Sequence, residues 1–349
     1  MKVNFRNIFL IVGIIAIVIM LCTFDMTWQE VIIHVRRAGI WFPAVLILWL
    51  FIYFINAWAW YVLIHDGETP KINFWRVYKL TISGYALNSI TPVGVLGGEP
   101  YRIMELTPLV GGTRASSSVI LYSMMHIFSH FCFWAFSIVI FLLIYGTSMT
   151  AGMALVIAAC TAFCALGFYF FFRGYRDGLA LRSLRFFGRW PLIGKAIKRF
   201  CEKNEEAIRK VDMQIAQLHA QRRKTFYLSL FLEFAARVIG CLELLFIMWI
   251  LTDEVTFAQC ILMQAFASLL ANLMFFIPMQ MGTREGSMAL FVNSINMNAA
   301  LGVLTGLITR LREVIWTAIG LALIKIGNGK LPTTEDTKPG NEIQEVIES

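Results

Sequence analysis

The sequence predicts an all-α polytopic membrane protein with about six transmembrane helices and two re-entrant hairpins in inverted repeat. Of its 349 residues, 58% are hydrophobic and only 15% are charged, whereas soluble domains carry about 25% charged residues. Several uncharged apolar runs are long enough to cross a bilayer, which requires about 20 helical residues. Two further apolar segments are interrupted by Pro and Gly, which break helices. A soluble globular fold is therefore excluded.

Six apolar segments are predicted as full spans. Lys2 and Arg6 precede the apolar run of the first span, residues 8–24, and no small-residue cleavage site follows it. This pattern predicts a retained helix with a cytoplasmic N-terminus rather than a signal peptide. The predicted spans cover residues 5–24, 40–64, 115–145, 149–172, 226–251 and 299–326.

Lys and Arg residues set the predicted orientation. Residues 173–224 hold 14 Lys and Arg against five Asp and Glu, so this loop is expected in the cytoplasm, with both termini. The segment 173–225 is expected to be an amphipathic part of one membrane domain, residues 1–330. It either lies on the anionic inner leaflet or captures anionic headgroups specifically; nucleic-acid binding is not expected. Residues 331–349 are polar and acidic, which predicts disorder.

Two segments are predicted to enter the membrane and return to the same side. Given the orientation of the spans, residues 73–99 must begin and end in the cytoplasm. Residues 257–298 must begin and end outside. We therefore expect two re-entrant hairpins that enter from opposite faces. Inverted pairs of broken helices are typical of transporters, whose binding sites lie near the membrane midplane.

The first hairpin contains the stretch NSITPVGVLGGEPYR, residues 88–102. A Pro/Gly loop exposes backbone N–H groups, and a helix beginning at Pro100 would point its positive N-terminus at the loop. This combination favours an anion such as phosphate. The alternative is a tight connection whose charged residues pair with each other. The predicted headgroup-binding residues are Asn88, Thr91, Glu99 and Arg102, and the structural loop residues are Pro92, Gly94, Gly97 and Gly98.

The second hairpin contains ANLMFFIPMQMGTREG, residues 271–286, which resembles the first. Arg284 and Glu285 are predicted to bind the headgroup there, and Pro278 and Gly282 to shape the loop. Arg310 completes the predicted site, because it lies about 16 Å into the last span, near the bilayer centre. An arginine at that depth is a functional candidate by default.

Other charges also fall within the predicted spans. Glu233 and Arg237 are four residues apart and are expected to pair, for either a functional or a structural purpose. Glu313 lies three residues after Arg310, whereas Arg312 is expected to project away. The remaining candidates, His126 and His130, are interpreted as helix-packing residues, because no third metal ligand is indicated. No metal or other cofactor is expected.

These residues resemble the motifs of the flippase-like integral membrane family named after the transmembrane region of lysylphosphatidylglycerol synthase. The resemblance extends from about residue 8 to residue 326. Met279 and Gln280 stand where the family has two glycines. The matching positions are Asn88, Pro92, Gly98, Glu99 and Arg102 in the first motif, Pro278, Gly282 and Glu285 in the second, and Arg310 in the last span.

The resemblance implies a transporter in the bacterial inner membrane that moves lipids with anionic or modified headgroups. Anionic membrane lipids are then the expected partners, with lipid- or polysaccharide-biosynthesis enzymes as further candidates. No counterpart of the family's aminoacyl-transferase domain is found, and D-x-D, H-E-x-x-H and Ser/His/Asp arrangements are absent from the sequence. An enzyme is therefore not expected. The alternative function is a non-transporting scaffold for a biosynthetic complex.

The predicted topology can be tested with single cysteines at Asp253 and Lys203, introduced after the seven native cysteines are replaced. An impermeant thiol reagent added to intact cells should label Asp253→Cys and leave Lys203→Cys unlabelled until the membrane is opened. The opposite pattern would contradict the inverted arrangement of the hairpins.

Overall fold

The computed structural model describes residues 39–65, 72–90, 97–176, 213, 223–252, 254–274 and 282–325. Within these ranges the regular structure consists of nine α-helices and one short 3₁₀ turn, without strands. The helices are α1 (Trp41–Ile64), α2 (Phe74–Ile90), α3 (Gly98–Val110), α4 (Gly112–Tyr145), α5 (Ala151–Arg176), α6 (Arg223–Leu251), α7 (Phe257–Leu273), α8 (Thr283–Ser294) and α9 (Ala299–Lys325).

Four segments are long and apolar enough to cross a membrane. They are Trp41–Ile64, Gly112–Ser148, Ala151–Phe172 and Lys224–Leu251. The protein is therefore an all-helical, multi-pass membrane protein, as predicted. Helix α9 is also 27 residues long, but its middle carries three charged side chains and it is not among the four. The predicted span 5–24, most of the loop 173–225 and the tail 331–349 lie outside the described residues.

Both predicted Pro/Gly breaks separate pairs of short helices. Helices α2 and α3 have 17 and 13 residues, and α7 and α8 have 17 and 12. Each is shorter than the roughly 20 residues of a full span. Helix α3 begins at Gly98 rather than at Pro100, so that Glu99 lies in its first turn. The first turn of α8 also contains a carboxylate, that of Glu285.

The order and the packing of the helices repeat in two halves, α1–α4 and α6–α9. In the first half α1 packs on α2, α2 on α3 and α3 on α4; in the second, α6 packs on α7, α7 on α8 and α8 on α9. Helices α1 and α6 pack on each other. Across the halves, α2 packs on α9 and α7 packs on α4. The equivalent contacts indicate two halves of similar architecture.

Glycines allow the short helices to approach their neighbours closely. A Cβ atom added at Gly98 would collide with the backbone of Gly84 on α2. One added at Gly302 on α9 would collide with the backbone of Met288 on α8, and one at Gly320 would collide with Ala86 on α2. Small residues serve this purpose between membrane helices, where close backbone packing replaces the hydrophobic effect.

Helix α5 packs on α4 and is exposed along most of its length. Only 6% of the residues in its most apolar stretch are buried inside the protein. Large apolar side chains project from it, including Leu155 and Phe170, which are 73% and 63% exposed. A continuous apolar surface of this kind is suited to contact with lipid tails.

We expect Gly98→Ala to lower stability by about 1–3 kcal/mol, because the new methyl group would force α2 and α3 apart. Gly152→Ala is the matched control, since nothing lies within 4 Å of a Cβ at that position. Thermal unfolding of the purified protein in detergent measures both variants. Equal midpoints for Gly98→Ala and the parent protein would contradict the close packing of α2 and α3.

Candidate functional site

Three groups of polar side chains lie in the interior of the helix bundle. The α3 cluster contains Asn88, Glu99 and Arg102. The α9 pairs are three ion pairs made by charged residues of α9. The His126 cluster contains His126, His130, Glu233 and Arg237. Each group is held by contacts between different helices, and each is described in turn.

The α3 cluster joins the two sides of the first helix break. The N–H of Gly98 donates a hydrogen bond of 2.7 Å to Asn88 Oδ1. Asn88 Nδ2 donates to Glu99 Oε1 over 3.3 Å, and Ser123 Oγ donates to the same oxygen over 3.5 Å. Asn88 therefore satisfies a free amide at the start of α3 and holds Glu99 in place.

Arg102 points into a buried, aromatic environment. Its residue surface is only 2% exposed. Its Nη1 lies 3.5 Å from Glu99 Oε1, and its Nη2 donates to Thr81 O over 3.3 Å. The guanidinium carbon lies 5.3–5.5 Å from the ring centroids of Trp60, Tyr85 and Tyr122. Arg102 is thus enclosed by the protein, whereas the partly exposed Glu99 is the accessible member of the cluster.

The first α9 pair joins Arg310 to Glu285. Arg310 Nε and Nη2 lie 2.8 and 2.6 Å from Glu285 Oε1. Glu285 Oε2 accepts a hydrogen bond of 3.1 Å from the N–H of Gly282, which precedes α8. Glu285 therefore caps α8 and anchors α9 to it. Gly282 has φ of +76°, a conformation that favours glycine.

The other α9 pairs join α9 to two different helices. Glu313 pairs with Arg284 of α8 over 2.9 and 3.3 Å. Arg312 points away from the face of Arg310 and Glu313, and it is 5% exposed and binds Glu243 of α6 over 2.8 and 3.1 Å. The spacing along α9 did not reveal these partners, because they lie on other helices.

Accessibility separates the three α9 pairs. The side chains of Arg284 and Glu313 are 23% and 28% exposed, and those of Arg310 and Glu285 are 10% and 12% exposed. The pair of Arg312 and Glu243 is the most deeply buried. An external anion would therefore reach Arg284 first and Arg310 next.

In the His126 cluster, Glu233 and Arg237 contact different partners. Glu233 Oε2 lies 2.8 Å from His126 Nδ1. Arg237 donates to Ser129 Oγ over 2.6 Å and to the backbone oxygen of His126 over 2.8 Å, and its Nη1 lies 3.2 Å from His130 Nδ1. The two histidines therefore bind charged groups rather than only filling space. Matching four-residue spacings, 126/130 on α4 and 233/237 on α6, are the sequence signal for this contact.

Aromatic rings connect the three groups. Trp49 Nε1 donates to Glu243 Oε2 over 2.8 Å, and its ring lies 3.8 Å from the Arg312 guanidinium carbon. The ring of Tyr53 lies 5.3 Å from that of Trp49 and 5.4 Å from that of Tyr85. Tyr85 in turn contacts Arg102 and His126. These three aromatic residues were not predicted from the sequence.

Several predicted site residues lie outside the described part of the chain, namely Thr91, Pro92, Gly94 and Pro278. Gly97 directly precedes α3. Within the described ranges, no group of three or more His, Cys, Asp or Glu side chains is arranged to hold a metal ion.

The sequence pattern of one protein family extends over nearly the whole described structure. The family described as the lysylphosphatidylglycerol synthase TM region matches residues 8–320. The chain belongs to this family. This match confirms the predicted resemblance. Membership of the family indicates a membrane protein tied to lipid metabolism. No curated protein and no solved structure matches the chain.

Glu243→Ala should destabilise this family member by about 3–5 kcal/mol, because it leaves Arg312 buried without its carboxylate. Replacing both residues, Glu243→Ala with Arg312→Met, should restore most of the loss. Glu313→Ala, in the more accessible pair, should cost less. Chemical or thermal unfolding in detergent compares the three variants. If the double variant is no more stable than Glu243→Ala, the loss of stability does not come from leaving Arg312 without its carboxylate.

Proposed function

We propose that the protein is a lipid flippase or scramblase-like transporter of the bacterial inner membrane. It moves a lipid with an anionic or modified headgroup through the polar interior, while the acyl chains remain in the bilayer. Phospholipids, glycolipids and polyprenyl-phosphate-linked lipids share the phosphate chemistry that this site would recognise. Both termini lie in the cytoplasm in this proposal, and α2–α3 and α7–α8 are the two re-entrant hairpins.

One observation carries the proposal: each helix break is followed by a first-turn glutamate that binds an arginine. Glu99 binds Arg102 after the first break, and Glu285 binds Arg310 after the second. The two breaks occupy equivalent places in the repeated halves. Paired broken helices at a repeat interface are the usual setting of transporter binding sites.

The second half offers the better entry for a headgroup. Arg284 is the more exposed of its two candidate arginines and Arg310 the more buried, and each is held by a single carboxylate. A phosphate can compete for these guanidinium groups, because their planar forks fit phosphate oxygens as well as carboxylates. Arg102 has a different role in this proposal: it fixes the first helix break from the inside.

The carboxylates make the empty site tolerable in the membrane. An unpaired arginine near the bilayer centre costs about 2.5–3.5 kcal/mol on insertion scales. The glutamates offset this charge until an anionic headgroup takes their place. Each arginine would exchange one anionic partner for another and would not be left as an unpaired charge. Such an exchange suits repeated binding and release.

A non-transporting scaffold for lipid- or polysaccharide-biosynthesis enzymes is the second candidate. The deeply buried pair of Arg312 and Glu243 favours it, because such a pair can hold helices together without binding any ligand. Neither candidate assigns an enzymatic reaction to the protein. Transport by the purified protein alone separates the two.

Arg310→Ala should abolish transfer of fluorescent phosphatidylglycerol in proteoliposomes, because the phosphate loses its central contact. Arg310→Lys should restore little, since an ammonium group lacks the planar fork. Transfer is measured as the fraction of headgroups that an external reductant quenches over time.

Lys325→Ala is the matched control, because Lys325 is an exposed cation at the end of the same helix. It should transfer lipid at the parental rate. Full transfer by Arg310→Ala would contradict the proposed site, and no transfer by the parent protein would favour the scaffold.

A further inference from the structure

We propose that His126 and Glu233 form a proton-binding site that couples proton movement to lipid transport. The inference rests on the proposed function and adds an energy source to it. The ligand is the proton itself, and the steps involve only the making and breaking of N–H and O–H bonds. A proton binds at His126 and passes from its Nδ1 to Glu233 Oε2, and it returns by the same contact.

Two groups compete for one nitrogen of His126. Its Nδ1 lies 2.8 Å from Glu233 Oε2 and 3.3 Å from the Tyr85 hydroxyl. An imidazole nitrogen either donates or accepts a hydrogen bond, and an ionised carboxylate only accepts. When Glu233 is ionised, Nδ1 must carry a proton to bond it. When Glu233 is protonated, it donates to a bare Nδ1. The contact therefore exists in two proton arrangements.

Glu233 is placed to accept a proton. The residue is 1% exposed, and its Oε1 has no hydrogen-bond partner among the described residues. A buried carboxylate oxygen without a partner is costly, and protonation removes the charge. Arg237 does not compensate by direct contact, because its guanidinium nitrogens bind Ser129, His130 and the His126 backbone.

The two members of the site differ in accessibility. The His126 side chain is 33% exposed, whereas that of Glu233 is 1% exposed. The imidazole is therefore the more exposed member of the pair, and in this proposal it receives the proton first. Histidine suits this step, because a neutral imidazole has both a donor and an acceptor nitrogen.

The charged groups around His126 balance each other before a proton arrives. Two arginines and two glutamates face this region, so one additional proton gives a net charge of +1. Asn56 of α1 is neutral and donates a hydrogen bond to the Tyr85 hydroxyl. The titratable or charged groups are Tyr85 of α2, Glu99 and Arg102 of α3, Tyr122, His130 and Cys132 of α4, and Glu233 and Arg237 of α6.

Tyr85 links the proton site to the first helix break. Its hydroxyl reaches His126, and its ring centroid lies 5.3 Å from the Arg102 guanidinium carbon. When protonation changes His126 Nδ1 from an acceptor to a donor, the hydrogen bond that Tyr85 can make with it changes too. The position of Tyr85 in turn affects Arg102 and its partner Glu99. Proton binding thus acts on the side chains that hold the first helix break, and through this break it would affect transport.

Proton binding is tested without transport by pH-difference infrared spectroscopy of the purified protein in detergent. A protonated-carboxyl C=O band should appear as the pH falls and should be lost in Glu233→Gln. His126→Gln should shift the midpoint of this band. Glu254→Gln, at an exposed position, is the control and should retain it. A titrating band that is unchanged in Glu233→Gln overturns the proton site.

Coupling is tested in proteoliposomes that contain fluorescent phosphatidylglycerol, with and without an imposed pH gradient. The gradient should accelerate net transfer several-fold in the parent protein. Glu233→Gln and His126→Gln should transfer lipid at the same rate in both conditions, and size-exclusion chromatography checks that both variants are folded. His65→Gln, whose ring contacts Tyr61 at the end of α1, should keep the response.

Two outcomes separate the coupling from the proposed function. If the parent protein transfers lipid at the same rate with and without the gradient, the coupling is overturned but the proposed transport function is not. No transfer in either condition overturns the transporter and the coupling together. The infrared band then still decides whether Glu233 binds a proton.

Discussion

A buried arginine needs a carboxylate beside it, and this requirement determines how the helices of the protein meet. Arg310 fixes α9 to α8 through Glu285, and Arg312 fixes α9 to α6 through Glu243. Because a charge left without its partner in a low-dielectric interior is strongly destabilising, these contacts tolerate little sliding or rotation. The ion pairs therefore set the register of helices whose apolar faces alone would pack in many ways.

The helix breaks were predictable from the sequence, whereas the partners of the charges were not. Pro and Gly act on the local backbone, so the breaks between α2 and α3 and between α7 and α8 follow from the residues nearby. The length of α3 does not, because this helix continues to Val110, beyond the predicted hairpin of residues 73–99. The pair of Glu99 and Arg102 is also local, three residues apart. Arg312 and Glu243 are 69 residues apart, and only the packing of α6 on α9 brings them together. Periodicity gives the face of a helix but not its neighbour.

The repeated halves share an architecture but use it differently. In the first half, Asn88 bridges the helix break and Arg102 is enclosed by aromatic rings. The asparagine at the corresponding place in the second half, Asn272, donates to Ser268 O on its own helix. Arg310 comes from the following long helix and stays partly accessible. In the proposed function, the first half is therefore a fixed frame, and the second half provides the contacts that a headgroup would exchange.

Charge balance relates the two proposed ligands. The arginines of the α9 pairs and of the α3 cluster are paired with glutamates, so an anionic headgroup that takes Arg310 would add a negative charge and leave Glu285 without its cation. Glu285 would then depend on the Gly282 N–H alone, next to another anion. One proton bound at His126 and Glu233 adds a positive charge to the same connected interior. In these proposals each ligand would offset the charge that the other brings, and because linkage is reciprocal, binding of either one would favour binding of the other.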